Sequence, residues 1–188
     1  TFLADSKKNE YSRRNKLIAF APDYPEPIDI QSILMSRQAG SGMLKDLPFA
    51  RQEAKYVTDI TGGALFENSA ATESVYKSES GKYDIIHLAM HTLLNDKDPM
   101  HSTLIFNHTN DSLEDGYLKT FEIYGIPLKA KMVVLSSCNT GKGPLSSGEG
   151  ILSLARGFIY SGSQSVVMSM WEIEDKSGTE IVKMFYNN

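Results

Sequence analysis

Residues 83–91 read YDIIHLAMH, a near-continuous apolar run that contains two histidines. A strand inside a parallel sheet is covered by helices on both faces, so its sequence lacks the alternation of a half-exposed strand. Residues 130–137, AKMVVLSS, have the same character. We therefore predict that these two runs form central strands of a parallel sheet.

Amphipathic helical patterns alternate with apolar runs along the rest of the chain. Further strands are predicted at 17–21, 64–68, 102–106 and 165–170. Helices are predicted at 47–61, 69–80, 148–162 and 175–186, and a short helix is predicted within 118–128, where Gly125 and Pro127 close it. Residues 28–47 lack a regular pattern and are predicted to form an irregular loop. This alternation predicts an α/β fold, with a mainly parallel central sheet and helices on both faces.

Length and composition exclude several classes of protein. The 188 residues suffice for one core, and 41% hydrophobic and 22% charged residues are typical of a globular domain. A net charge of −4 argues against direct binding to nucleic acid or to an anionic membrane. No apolar stretch reaches the roughly 18 residues that span a bilayer. A single cysteine cannot form an internal disulfide, which indicates a reducing compartment and a cytoplasmic location.

The single cysteine directly follows a predicted central strand, a position that is typical of catalytic residues. Residues 133–141 read VVLSSCNTG, so Cys138 directly follows the predicted strand 130–137. His91 ends the other predicted central strand. Ligands of parallel sheets bind beyond the carboxyl ends of the strands. If the two strands are neighbours, Cys138 and His91 emerge at the same rim, where a thiol and its base form a nucleophilic pair.

Other interpretations of these residues stay open or are disfavoured. Cys138 is alternatively a buried structural thiol or a redox sensor. His87 and His91 share a strand face, but no HExxH pattern or cysteine pair accompanies them, so no metal site is predicted and His87 is expected to be a hydrogen-bonded core residue. A phosphate-binding loop would need glycine where Ser136 stands.

Three segments together resemble a known family. YDIIHLAMH (83–91), VVLSSCNTG (133–141) and GEGILSLARGFIYSGSQSVVMSMWEIED (148–175) look like the CHAT domain of the caspase-like cysteine peptidases, whose relatives include caspases, metacaspases and separase. The resemblance implies a caspase-like three-layer α/β fold and a catalytic dyad of Cys138 and His91. It also implies fusion to helical repeats of the tetratricopeptide type or regulation by a partner.

The resemblance sets the expected domain limits. Residues 1–15 are polar and basic and are interpreted as a linker or the end of an upstream helical region. Residues 16–188 are interpreted as the CHAT domain, shortened at its carboxyl terminus because the family usually continues with another helix and a strand. The family often has glycine after the catalytic histidine, where this chain has Thr92.

The expected function is that of a cysteine endopeptidase acting on a protein or peptide through an acyl-enzyme, with no metal or organic cofactor. The backbone N–H groups of Cys138 and Thr92 are the predicted oxyanion donors. The alternative is an inactive caspase-like scaffold or regulatory domain.

Cleavage is expected after a basic residue, as the resemblance to separase and metacaspases implies. Selection of a basic side chain requires a carboxylate within hydrogen-bonding reach. Three acidic residues lie where this fold presents its loops, namely Asp23, Glu149 and Asp175.

Overall fold

The structure is a computed structural model that describes residues 15–34, 42–108, 114–136, 148–169 and 173–187. Its strands are β1 (Leu17–Ala21), β2 (Ile28–Asp29), β3 (Met43–Leu44), β4 (Ala64–Glu67), β5 (Ile85–Ala89), β6 (Thr92–Leu93), β7 (Thr103–Ile105), β8 (Tyr117–Lys119), β9 (Met132–Ser136) and β10 (Val166–Met168). Its α-helices are α1 (Ile30–Leu34), α2 (Pro48–Thr61), α3 (Glu73–Glu79), α4 (Thr120–Ile123), α5 (Glu149–Tyr160) and α6 (Asp175–Tyr186).

Five strands form one parallel sheet in the order β10-β9-β5-β1-β4. The two runs predicted as central strands are therefore parallel neighbours, as expected. Their register pairs Ala89, the last residue of β5, with Ser136, the last residue of β9. The carboxyl ends of both strands consequently lie side by side at one rim of the sheet.

Helices cover both faces of this sheet, which confirms the predicted three-layer architecture. In β1, Ile18 and Phe20 pack into one apolar cluster and the alternate residues pack into another. The first cluster includes residues of α3, α4 and α5, and the second includes residues of α2 and α6. Because both sets of β1 side chains are buried, the strand needs apolar residues at every position.

The two longest predicted helices form at the expected places. In α2, the helical spacing of Ala50, Ala54 and Val57 predicts one apolar face, which is buried, and Gly62 ends the helix in the left-handed conformation with φ 71°. In α5, the spacing of Ile151, Leu154, Ala155, Phe158 and Ile159 predicts one buried stripe, but Ile159 is 48% exposed. It follows Phe158 by one residue, and a step of about 100° turns it away from the core.

Short elements depart from the sequence-based predictions. Residues 28–47 do not form an irregular loop throughout, because β2 pairs antiparallel with β3 and α1 begins directly after β2. The predicted strand at 102–106 exists as β7, but it lies outside the central sheet. It is the middle strand of a small antiparallel sheet in the order β6-β7-β8.

Candidate active site at the carboxyl ends of β5 and β9

His91 lies just beyond the carboxyl end of β5 and directly before β6. The predicted strand ended at His91 itself, whereas the observed strand ends two residues earlier at Ala89. The other predicted member of the pair, Cys138, lies outside the described residues. In sequence it follows Ser136 by the same two positions that separate His91 from Ala89.

The hydrogen bond made by the His91 ring determines which nitrogen carries the proton. His91 Nε2 lies 2.6 Å from the carbonyl oxygen of Lys45. A carbonyl oxygen only accepts hydrogen bonds, so Nε2 is the protonated nitrogen of the ring. Nδ1 is buried and has no hydrogen-bond partner among the described residues. In the neutral ring Nδ1 therefore holds a free lone pair, as a general base requires.

Burial also decides the charge of His91. The residue is 2% exposed, and this burial lowers the pKa of its imidazole, against the opposing effects of the Lys45 carbonyl and the negative charge of Asp46. Transfer of a charged imidazolium out of water is unfavourable, so the neutral form is favoured. The ring is thus held in the basic form.

The Tyr24 hydroxyl lies between His91 and β7. The backbone N–H of His91 donates to this oxygen over 3.1 Å, and the hydroxyl donates to the carbonyl of Ile105 over 2.7 Å. The N–H of Ile105 in turn donates to the carbonyl of His91 over 3.0 Å. In a regular antiparallel pair the N–H of His91 would donate directly to the carbonyl of Ile105, whereas here the Tyr24 hydroxyl lies between these two groups. The centroids of the Tyr24 and His91 rings are 4.6 Å apart. Burial raises the pKa of the phenol, which keeps the donor protonated.

Asp46, next to Lys45, connects this region to α2. Its two carboxylate oxygens accept from Arg51, in the first turns of α2, over 2.6 Å each. The backbone N–H of Tyr24 donates to the same carboxylate over 3.1 Å. The hydrogen bond to Arg51 is the main reason why the pKa of Asp46 falls to about 2. Asp46 is therefore ionised throughout the physiological pH range.

Thr92 occupies the position where the resembling family often has glycine. The bonded pair of His91 with Ile105 makes the next pair, Thr92 with Leu104, a non-hydrogen-bonded pair of the antiparallel ladder. The N–H of Thr92 therefore points away from β7. Among the described non-glycine residues only Asn68 has positive φ, so Thr92 adopts its conformation without the freedom of glycine.

The three acidic residues predicted to bind substrate lie on separate elements and have different partners. Asp23, after β1, accepts from the side-chain amide of Asn107 over 2.6 Å. Glu149, at the start of α5, lies 3.7 Å from the guanidinium of Arg156. Asp175, at the start of α6, accepts from the backbone N–H of Phe49 over 3.1 Å, and burial raises its pKa.

Asp175 also lines a pocket of about 360 Å³ between the sheet and the helices α2 and α6. Ser136 and Glu53 line the same pocket, and most of the other lining side chains are apolar. Glu53 is buried and lies 2.9 Å from Nε2 of His87. His87 is therefore the hydrogen-bonded core residue that the sequence predicted.

Sequence reasoning missed Tyr24, Lys45, Asp46 and Glu53. Lys45 acts through its backbone carbonyl, and no side-chain pattern marks such a contact. Tyr24 stands between two prolines in the stretch APDYPEP, which indicates a turn but not the direction of the phenol. A carboxylate five residues before an arginine at a helix start was the one local signal for Asp46.

Comparison with known proteins agrees with this architecture. The sequence model of the CHAT domain, a caspase-like family, matches residues 2–188. Tetratricopeptide repeat protein 28 from Homo sapiens is 23% identical over a match that covers 76% of the chain, and the Mus musculus protein of the same name matches equally. The chain spans only 7% of the length of these relatives. No helix in the described ranges is long and apolar enough to cross a membrane. The match over nearly the entire chain shows that it belongs to the CHAT domain family.

Proposed function

We propose that this chain is a cysteine endopeptidase in which His91 activates the thiol of Cys138. The observation that carries the proposal is the state of the His91 ring, which is buried, anchored at Nε2 and unpartnered at Nδ1 among the described residues. Such a ring is prepared to take one proton from a neighbouring group. The parallel pairing of β5 with β9 and the equal offsets of His91 and Cys138 support the thiol as that group.

The proposed reaction has two half-reactions. Nδ1 of His91 accepts the proton of the Cys138 thiol, and the sulfur attacks the substrate carbonyl carbon. The N–H groups of Thr92 and Cys138 stabilise the oxyanion. The new Nδ1–H then protonates the leaving amine as the peptide bond breaks, which leaves a thioester. A water molecule gives a proton to Nδ1 and attacks the thioester, and the Nδ1 proton passes to the sulfur as the C–S bond breaks, which releases the carboxylic acid and regenerates the thiol and the neutral ring.

For specificity we propose a basic residue on the amino side of the scissile bond, with Asp23, Glu149 and Asp175 as candidate carboxylates. Asp175 is supported by its place in the pocket that also contains Ser136. Cleavage after an acidic residue would instead require an arginine that has no carboxylate partner and can bind the substrate's carboxylate. Within the described ranges the arginines are Arg51 and Arg156, and both lie against carboxylates.

A scaffold function without catalysis is the second candidate. The burial of His91 favours it, because a substrate needs access to the base. In either case we propose that the domain is a cytoplasmic module that works with helical repeats or another regulatory partner, as the names of its relatives suggest. We further propose that it binds neither nucleic acid nor membrane, in keeping with its net charge of −4.

Labelling with a peptidyl halomethyl ketone tests the dyad. Cys138→Ala and His91→Ala should each abolish labelling and peptide hydrolysis while circular dichroism and thermal unfolding show an intact fold. His101→Ala is the matched control, because this imidazole is 53% exposed and contacts the side chain of Asp98 and the exposed ring of Phe121. Hydrolysis that persists in either dyad variant contradicts the proposal, and peroxide-dependent sulfenylation without hydrolysis supports a redox sensor instead.

A further inference from the structure

Asp46 is the centre of a group of contacts that lead to His91 by two routes. Through the chain, its neighbour Lys45 offers the carbonyl that accepts the Nε2–H of His91. Through space, its carboxylate accepts the backbone N–H of Tyr24, whose hydroxyl accepts the backbone N–H of His91. Both the ring and the backbone of His91 are therefore connected to one carboxylate.

Arg51 fixes this carboxylate in position. The guanidinium makes two parallel hydrogen bonds of 2.6 Å to the two oxygens of Asp46. A bidentate pair restricts the carboxylate in both position and orientation, unlike a single contact to a lysine. Since Arg51 belongs to α2, the pair attaches the segment before that helix to a rigid element.

We propose that Asp46, held by Arg51, is a positioning residue that keeps the Lys45 carbonyl against Nε2 of His91 and so holds the ring with Nδ1 available as the base for the proposed thiol. The inference rests on the proposed function for the identity of the thiol. The geometry itself involves only described residues. In many enzymes a carboxylate contacts the base directly and orients it toward the nucleophile. Asp46 would have the same effect indirectly, through the peptide carbonyl of Lys45.

The charges around His91 make the inference measurable. Asp46 is the charged side chain that acts on the imidazole, and the Tyr24 phenol beside it stays neutral because burial raises its pKa. The negative charge and the carbonyl contact both favour the protonated ring. Loss of either should lower the pKa of His91 and expose the Nε2–H to exchange.

The test uses the 188-residue chain labelled with ¹⁵N-histidine and carrying Cys138→Ala, so that the thiol does not contribute to the titration. Asp46→Asn removes the charge and one arm of the pair, and should lower the pKa of His91 by about half a unit or more. It should also speed exchange of the Nε2–H by roughly tenfold or more, since a held geometry is lost. Arg51→Lys keeps a charge but loses the fork, so a smaller change in the same direction is expected.

Asp59→Asn is the matched control. This aspartate lies on the same helix and pairs with Lys55 at 3.6 Å on the exposed face, so its loss should move neither quantity. Unchanged pKa and exchange in both Asp46→Asn and Arg51→Lys overturn the inference. If Asp46→Asn does not fold, Arg51→Lys alone decides.

Kinetics with Cys138 restored separate this inference from the proposed function. In an active enzyme Asp46→Asn should lower kcat by about tenfold and Arg51→Lys by less, each with KM within about twofold, because the base is displaced and the substrate contacts stay. An NMR response without hydrolysis, both in the chain alone and in the chain joined to helical repeats, supports the positioning and contradicts the proposed function. Hydrolytic activity with an unchanged His91 pKa and unchanged Nε2–H exchange in the variants supports the proposed function and contradicts the positioning.

Discussion

At the scale of single residues, burial shifts the pKa values of two side chains in opposite directions. It lowers the pKa of His91 and thereby favours the uncharged base. It raises the pKa of Glu73, in the first turn of α3, to about 7 despite the nearby Lys77. Desolvation disfavours the charged form in both cases. The charged form is the protonated ring in His91 and the deprotonated carboxylate in Glu73, so the two pKa values move in opposite directions.

Glu73 makes a pH-dependent contribution to stability. Its folded pKa lies above the ordinary value of 4.5, so its contribution is fully present below about pH 4.5 and is lost as the pH rises through 7. The free energy of unfolding of the native chain should therefore decline from pH 5 to pH 8 relative to that of Glu73→Gln. The expected change is on the order of 1 to 3 kcal/mol by chemical denaturation.

Glu79→Gln is the control for this prediction, because Glu79 lies on the same helix and pairs with Lys82 at the surface. The comparison separates the effect of the buried Glu73 carboxyl from that of removing any carboxylate from α3. Parallel stability curves for the native chain and Glu73→Gln between pH 5 and pH 8 contradict the prediction.

The proposed preference for a basic residue assigns substrate selection to single carboxylates as well. A positional-scanning peptide library should show a preference for Arg or Lys before the scissile bond, and Asp175→Asn should lower kcat/KM for such peptides by roughly tenfold. The asparagine oxygen can still accept the N–H of Phe49, so the fold should persist. Asp23→Asn is tested beside it, and the adjacent exposed Glu174→Gln is the control. A preference for Asp or for an apolar residue rules the prediction out.

At the scale of elements, one turn requires glycine. Gly162 follows α5 with φ 112°, and a Cβ at this position would overlap the carbonyl oxygen of Leu128. The same segment is held at the end of α5, because the N–H of Leu128 donates to the carbonyl of Ser161, the residue before Gly162, over 2.7 Å. Gly162→Ala should therefore lower the free energy of unfolding by about 3 kcal/mol or more.

Gly62→Ala provides the comparison for this turn. Gly62 also has positive φ, 71°, but a Cβ there would have nothing within 4 Å. Its replacement should cost only about 1 kcal/mol, the cost of the left-handed conformation alone. Equal losses in the two variants, measured by chemical denaturation, would show that the Leu128 contact is unimportant.

The success of sequence-based prediction differed between elements for a physical reason. β1, β5, β9 and the long helices carry local signals, because burial on both faces or on one stripe dictates their residue types. The pairing of β6, β7 and β8 depends on residues distant in sequence, and no local pattern records it. The same holds at the site, where His91 is marked by its strand but the Lys45 carbonyl is not.

At the scale of the whole molecule, the site is assembled from segments that are far apart in sequence. The turn after β1 supplies Tyr24, the segment before α2 supplies Lys45, and β7 supplies the Ile105 carbonyl, all around His91. The geometry of the base therefore depends on the docking of α2 and of the small antiparallel sheet onto the central sheet. Changes in either element should reach His91 without touching it.

The same assembly predicts that the 188-residue chain alone hydrolyses peptides slowly. His91 is 2% exposed and Thr92 is 5% exposed, so we expect a peptide to reach the proposed base and the proposed oxyanion donor only after neighbouring parts of the domain move. Binding of a partner that favours the open arrangement should increase the rate. The measurement compares peptide hydrolysis by the chain alone with that of a longer polypeptide in which the chain is joined to helical repeats of the tetratricopeptide type, the repeats named in its relatives. We expect the longer polypeptide to be faster by tenfold or more, given a bias on the order of 1.4 kcal/mol toward the open state.

Cys138→Ala in both forms gives the background, and iodoacetamide, which is much smaller than a peptide, controls for access to the thiol. A kcat near about 10 s⁻¹, typical of enzymes, from the chain alone would contradict the prediction.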